Sequence, residues 1–197
     1  MSLRIIVPHR GLADSKTRLS PVLDDEERER LAERLLRRVL AVVTEVAQVV
    51  VITPAEELGA LVEGAGARLE VQHGLGLNAG LDQARRAALA DGVTELVVLH
   101  GDLPLLETDD VRALIAAIPQ PRGVAIGPDR FGTGTNALAL RPPDAIPFHF
   151  GVRSFPAHLE AAQEAGVEVT VVDRPGLAFD LDTPGDLARW LELGHVA

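Results

Sequence analysis

Short uncharged runs alternate along this chain with longer stretches in which apolar residues return every three or four positions. That alternation predicts an α/β fold, with helices packed around a mainly parallel sheet. Leu3 to Val7 reads as a first buried strand, stopped by Pro8. Asp24 and Glu27 have capping-box spacing, and Leu31, Leu35, Val39, Val42 and Val46 then mark one face of a long amphipathic helix. Val49 to Thr53 predicts a second strand, Ala55 to Gly64 a helix, Arg68 to Val71 a third strand, and Leu77 to Ala90 a helix stopped by Gly92. The strand Glu95 to Leu99 runs into Gly101-Asp102-Leu103-Pro104 and a helix from Asp109 to Ile118. Val124 to Ile126 and Ala137 to Leu140 read as strands flanking a glycine-rich loop. Ser154 to Ala165 reads as a helix opened by a serine cap, Val167 to Val172 as the last strand, and Thr183-Pro184 as the start of a helix carrying Trp190.

A chain of 197 residues, 47% of them hydrophobic, is long enough for one substantial core and short for two enzyme domains, so one domain over residues 1–197 is expected. Neither an internal repeat nor a domain linker interrupts it. No apolar run has the length of a membrane span, and the first residues lack a secretory pattern, so a cytoplasmic location is expected. The absence of cysteine removes disulfides, thiolate metal sites and thiol nucleophiles. A formal charge of −10 argues against a general grip on nucleic acid or an anionic membrane, and any bound phosphate must be held locally. Trp190 and the apolar helix faces suit either a core or a homo-oligomer interface.

In an open parallel sheet the loops beyond the carboxyl ends of the strands line the ligand crevice. The loop His9 to Arg18 gathers Arg10, Arg18 and Lys16, the sole lysine, in an otherwise acidic chain, and would neutralise a polyphosphate; a solvated charged loop is the alternative. Asp102 follows an uncharged strand and can reach into the crevice as a hard oxygen ligand for Mg²⁺, or bond amides in a turn. Asp180 and Asp182 fall on one face of an extended stretch and can join Asp102 at a metal, although Asp182 also suits the dipole of the following helix. Gly132-Thr133-Gly134-Thr135-Asn136 and Phe150-Gly151-Val152-Arg153-Ser154 combine glycines, hydroxyls and a helix start into a second anion site, with a glycine-rich hairpin and a plain cap as the bland reading. Gly74-Leu75-Gly76-Leu77-Asn78-Ala79-Gly80 opens a helix and suits close approach to a base or ribose, most directly through Gly76 and Asn78.

These loops in combination resemble one family, the guanylyltransferases of coenzyme F420 biosynthesis, which activate 2-phospholactate or phosphoenolpyruvate with GTP. The matching stretches are Lys16-Thr17-Arg18-Leu19, Gly76-Leu77-Asn78, Asp102-Leu103-Pro104-Leu105, Gly134-Thr135-Asn136-Ala137-Leu138, Pro142-Pro143-Asp144 through Phe150-Gly151, Ser154-Phe155 and Leu181-Asp182-Thr183-Pro184. The resemblance implies a single-domain nucleotidyltransferase similar to the glycosyltransferase-A type, with a mixed, mostly parallel sheet between helices. It also implies GTP as donor and a small phospho-acid as acceptor: phosphoenolpyruvate, 2-phospho-L-lactate or 3-phosphoglycerate. Acceptor contacts are then expected at Thr135, Gly151 and Ser154, magnesium at Asp102, Asp180 and Asp182, and charge stabilisation from Lys16 and Arg18. Two rivals make different demands. A molybdenum-cofactor or sugar nucleotidyltransferase would share the triphosphate loop and Asp102 but not depend on Thr135 or Ser154. A non-catalytic nucleotide-binding module would use the Gly74 turn without Mg²⁺ and release no pyrophosphate.

Overall fold

A computed structural model describes residues 2–194, so the domain expected over 1–197 extends past the described residues at both ends. In chain order the elements are β1 (Leu3–Pro8), α1 (Asp25–Val43), β2 (Gln48–Thr53), α2 (Gly59–Gly64), β3 (Arg68–Val71), α3 (Leu77–Ala90) and β4 (Glu95–Leu99). They continue with α4 (Thr108–Ala116), β5 (Gly123–Pro128), β6 (Thr135–Arg141), α5 (Ser154–Glu164), β7 (Glu168–Val171), α6 (Pro175–Ala178) and α7 (Pro184–Glu192). The capping box of α1 is formed, Glu27 N–H donating to Asp24 Oδ1 and Asp24 N–H to Glu27 Oε2. The one-turn helix α6 and the 3₁₀ turn Thr17–Leu19 escape a reading by period, because three or four residues show no repeat, and the helix expected from Ala55 to Gly64 divides into a 3₁₀ turn, Glu56–Leu58, and α2. Ser154 is a correction: Arg153, in the left-handed region at φ 57°, occupies the cap of α5, and Ser154 is the first helical residue.

All seven strands join one sheet in the order β3-β2-β1-β4-β6-β5-β7. Every pairing is parallel except those of β6, which runs antiparallel to both β4 and β5. The mixed, mostly parallel sheet expected from the sequence is therefore present. Its consequences for the crevice are geometric. β1 connects through α1 to β2 on one side while the chain later crosses to β4 on the other, so the loops after β1 and β4 part at a switch point. Reversal of β6 brings its first residues, not its last, to this same edge, with Ala137 opposite Leu99.

Side-chain alternation divides the core by face. Ile5, Val7, Val97 and Leu99 pack with α1 and α4, whereas Ile6, Val98 and Leu138 pack with α3 and α5. A third cluster joins Leu19, Leu31, Leu35, Phe179, Leu181, Leu187 and Trp190. Trp190 thus belongs to the core, 2% exposed, with the Arg34 guanidinium 5.2 Å over its ring. This cluster anchors two distant segments, the turn after Lys16 and the stretch carrying Asp180 and Asp182, on the same end of α1. Leu19 is fully buried there. Leu19→Ala is expected to lower the free energy of unfolding by about 2–5 kcal/mol, the range for emptying a buried leucine site. Urea denaturation reads it, and a loss under about 1 kcal/mol would mean that the cluster does not fasten the turn.

Candidate functional site

At the crevice the sole lysine meets two of the predicted carboxylates. Lys16 Nζ lies 2.7 Å from Asp102 Oδ2 and 2.9 Å from Asp182 Oδ1, and its side chain is only 6% exposed. Burial works against its charge, but Asp102 and Asp182 outweigh burial and hold the ammonium pKa above its ordinary value. Asp102 shows the complement: burial pushes its carboxyl up, and the adjacent Lys16 brings it below the usual carboxylate range. Lys16 adopts φ 55°, a backbone region that non-glycine residues rarely enter, at the start of the Thr17–Leu19 turn. Arg18 reaches Asp182 Oδ2 at 3.5 Å from a largely exposed position. Beside them His9 accepts from Gly11 N–H through Nδ1, and burial lowers its pKa to about 4.

Asp182 is thus engaged by two cations, which leaves Asp102 and Asp180 as the acidic pair open to a metal. Asp102 Oδ1 is buried with no hydrogen-bond partner among the described residues. Burial and then the charge of Asp102 raise the Asp180 carboxyl, whose Oδ1 accepts a long 3.4 Å contact from Asn136 Nδ2. Two mutually repelling carboxylates, one with an unused buried oxygen, fit a hard divalent cation such as Mg²⁺. Among the described residues no group of three or more His, Asp or Glu side chains forms a ready-made cage. That suits Mg²⁺, which commonly takes one or two carboxylates and completes its shell with water and substrate phosphate.

The segment carrying these aspartates is held from behind. Asp186 Oδ2 accepts from Asp182 N–H, Thr183 N–H and Thr183 Oγ1, and Arg130 donates to Asp186 and to the Asp180 carbonyl. Arg130 itself lies over Phe131 and Phe179. Arg130 does not stand out in sequence, because Asp180 and Asp186 lie 50 and 56 residues away, whereas Asp186 has capping-box spacing to Thr183.

The loops read as a second anion site take a different form from the amide nest expected. Asp129 consumes the amides of Phe131, Thr133 and Gly134, so the Gly132–Gly134 loop is an internally satisfied hairpin. The first amides of α5 are occupied too, Ser154 N–H by Gly151 and Phe155 N–H by Thr133. What remains is a pair of hydroxyls. Thr135 N–H donates to Ser154 Oγ at 2.8 Å, and Thr135 Oγ1 lies 2.9 Å from His158 Nδ1. Gly151, at φ 137°, and left-handed Arg153 form the turn that delivers Ser154 beside them. Asn78 is committed to the same turn, its Nδ2 donating to the Phe150 carbonyl and its Oδ1 accepting from Phe150 N–H, both at 2.9 Å. Gly76 caps α3 at φ 86°, and Gln72 Nε2 donates to its carbonyl.

Residues 3–195 match the family model described as "Guanylyl transferase CofC like". A phosphoenolpyruvate guanylyltransferase from Rubrobacter xylanophilus is 45% identical, covering 100% of this chain and 97% of that one. A 2-phospho-L-lactate guanylyltransferase from Methanopyrus kandleri is 37% identical, covering 98% and 93%. A crystal structure from Desulfovibrio desulfuricans G20, described as a nucleotide-diphospho-sugar transferase, superposes with a TM-score of 0.82 at 21% identity, covering 100% of this chain and 90% of that one. No helix among the described residues is long and apolar enough to cross a membrane.

The buried imidazole gives the stability of the fold a pH dependence. His158 is fully buried, and burial, followed by the neighbouring His149 and His100, lowers its pKa from 6.5 to about 4. Between those values the unfolded chain takes up a proton that the folded one refuses, so this stability is complete above about pH 6.5 and is lost as pH falls toward about 4. Moving from pH 7 to pH 5 should cost up to about 2 kcal/mol through this group. Urea midpoints across that range should fall more steeply for the parent than for His158→Asn; parallel slopes would refute the assignment.

Proposed function

Because this chain belongs to the CofC-like guanylyl transferase family, we propose that it transfers GMP from GTP to the phosphate of a small phospho-acid, releasing pyrophosphate. Phosphoenolpyruvate is the proposed acceptor, with 2-phospho-L-lactate the alternative, and the product would serve coenzyme F420 biosynthesis. The single sheet supports reading the chain as one nucleotidyltransferase domain. One observation carries the reading: a desolvated lysine clamped between two carboxylates at the switch point, with a buried hydroxyl on the reversed strand paired with another at the start of α5.

In this mechanism an acceptor phosphate oxygen attacks the α-phosphorus of GTP in line. The new P–O bond forms as the bond to the β-phosphate oxygen breaks, and the electron pair leaves with pyrophosphate. A phosphate monoester has a second pKa near 6 and is already mostly dianionic at neutral pH, so no side chain has to remove a proton. Catalysis reduces to bringing two anions together and offsetting their charge. Lys16, fixed by Asp102 and Asp182, and Arg18 at the mouth supply positive charge to the triphosphate. Asp102 and Asp180 would hold Mg²⁺, which when bound neutralises the triphosphate and its leaving group. Thr135, Ser154 and the Gly151 turn receive the acceptor.

Asn78 would act indirectly, since both ends of its amide hold Phe150, so base selection falls to the backbone around Gly76. The non-catalytic reading has less support, because the Gly74 turn is tied to itself through Gln72.

With GTP, Mg²⁺ and phosphoenolpyruvate, the parent should release pyrophosphate, and mass detection should find a guanylylated phospho-acid. Asp102→Asn should lower kcat about a hundredfold or more, the scale for losing one preorganised electrostatic group. Chelation by EDTA should stop turnover and added Mg²⁺ restore it. Full activity in Asp102→Asn would remove the metal assignment, and activity with sugar phosphates in place of phospho-acids would favour the sugar-type rival.

A further inference from the structure

The hydroxyl pair poses a problem of proton direction. A hydroxyl has one proton and can meet an anion only if that proton is not already committed elsewhere. Among the described residues Ser154 Oγ has one partner, the Thr135 amide, which donates to it, so the Ser154 proton stays uncommitted. For Thr135 the answer depends on which ring nitrogen of His158 carries hydrogen, and the backbone decides this. His149 N–H donates to His158 Nε2 at 3.0 Å. Nε2 must therefore present its lone pair, and in a neutral ring the proton sits on Nδ1. Nδ1–H then donates to Thr135 Oγ1, 2.9 Å away, and the Thr135 proton is released for a ligand.

We infer that His158 is a positioning residue for the acceptor site: its Nδ1–H tautomer, imposed by the His149 amide, turns the Thr135 hydroxyl into a donor aimed at the incoming anion. Two fixed donors, Nδ1–H and the Thr135 amide, thus fill acceptor positions on two adjacent hydroxyls and leave two O–H groups facing the ligand. Such a cradle is electrically neutral. It recognises an anion by direction and adds no cation to the lysine and arginine already serving the triphosphate.

The fold holds His158 in place for this role. It is fully buried on α5, and its ring meets Phe150 edge-on, with centroids 4.8 Å apart. Phe150 is in turn clipped to Asn78 through its backbone. The imidazole is thereby locked in orientation as well as in tautomer.

The inference rests on the acceptor-site reading above, and the experiment separates the two. His158→Asn keeps a donor near the Nδ1 position, and His158→Gln keeps an acceptor near the Nε2 position while losing the donor to Thr135. Steady-state kinetics with GTP and phosphoenolpyruvate should show the acceptor KM raised about tenfold or more in His158→Gln, close to parent in His158→Asn, and the GTP KM within about twofold in both. The opposite ranking, equal effects, or parallel rises in both KM values would overturn the role of His158. Thr135→Val controls the site itself. If it leaves the acceptor KM unchanged, the acceptor-site reading fails; if it raises that KM while His158→Gln does not, only the present inference fails. In the unmodified protein, ¹⁵N NMR of labelled histidine should show His158 protonated at Nδ1 at neutral pH. A signal from the Nε2–H form would overturn the inference whatever the variants do.

Discussion

A cation held out of water between two carboxylates is the constraint around which this molecule is arranged. Burying the Lys16 ammonium, 6% exposed against 25% for Asp102 and 38% for Asp182, costs several kcal/mol unless geometry returns it as attraction. The fold meets that demand with pieces drawn from across the chain. The switch point of the sheet separates the loops after β1 and β4 just enough for Lys16 to reach Asp102. The third hydrophobic cluster then fastens the turn after Lys16 and the segment before Asp182 to one end of α1. Asp186 and Arg130 fix the backbone of the last segment from outside. Lys16 even accepts an unfavourable backbone conformation, which persists because so many contacts determine its place.

The two halves of the crevice are built on different physics. One side concentrates formal charge, with Lys16 and Arg18 set against Asp102, Asp180 and Asp182. The other has hydroxyls, a histidine kept neutral by burial, and backbone amides already satisfied internally. This division follows from electrostatics. In the proposed reaction a second set of buried cations would repel the first and attract the triphosphate to the wrong half, whereas neutral dipoles select an anion by angle at short range.

Much of this was legible in the chain and some was not, for identifiable reasons. Strand and helix positions were clear wherever period and punctuation agreed: Arg68–Val71, Leu77–Ala90 and Glu95–Leu99 occupy the ranges the pattern gives. Lys16, Asp102 and Asp182 could be singled out because each follows a buried strand or precedes a cap. Their mutual contact could not, since 86 and 166 residues separate the lysine from its partners. The glycine-rich stretch at Gly132 suggested free amides, but only the fold reveals that Asp129 takes them. His158 carries no local signature at all: it lies inside a helix, and its meaning comes from one amide and one hydroxyl contributed by other segments. The serine read as a helix cap turned out to serve its neighbour on β6.

The clip between Asn78 and Phe150 engages only the main chain of its partner. Any amino acid except proline at that position offers the same carbonyl and N–H, so the attachment is blind to the side chain it carries. A lineage can therefore exchange the aromatic ring that packs edge-on against His158 while the loop stays docked to α3. Such separation of anchoring from packing lets the surroundings of His158 change without first undoing the attachment of the loop.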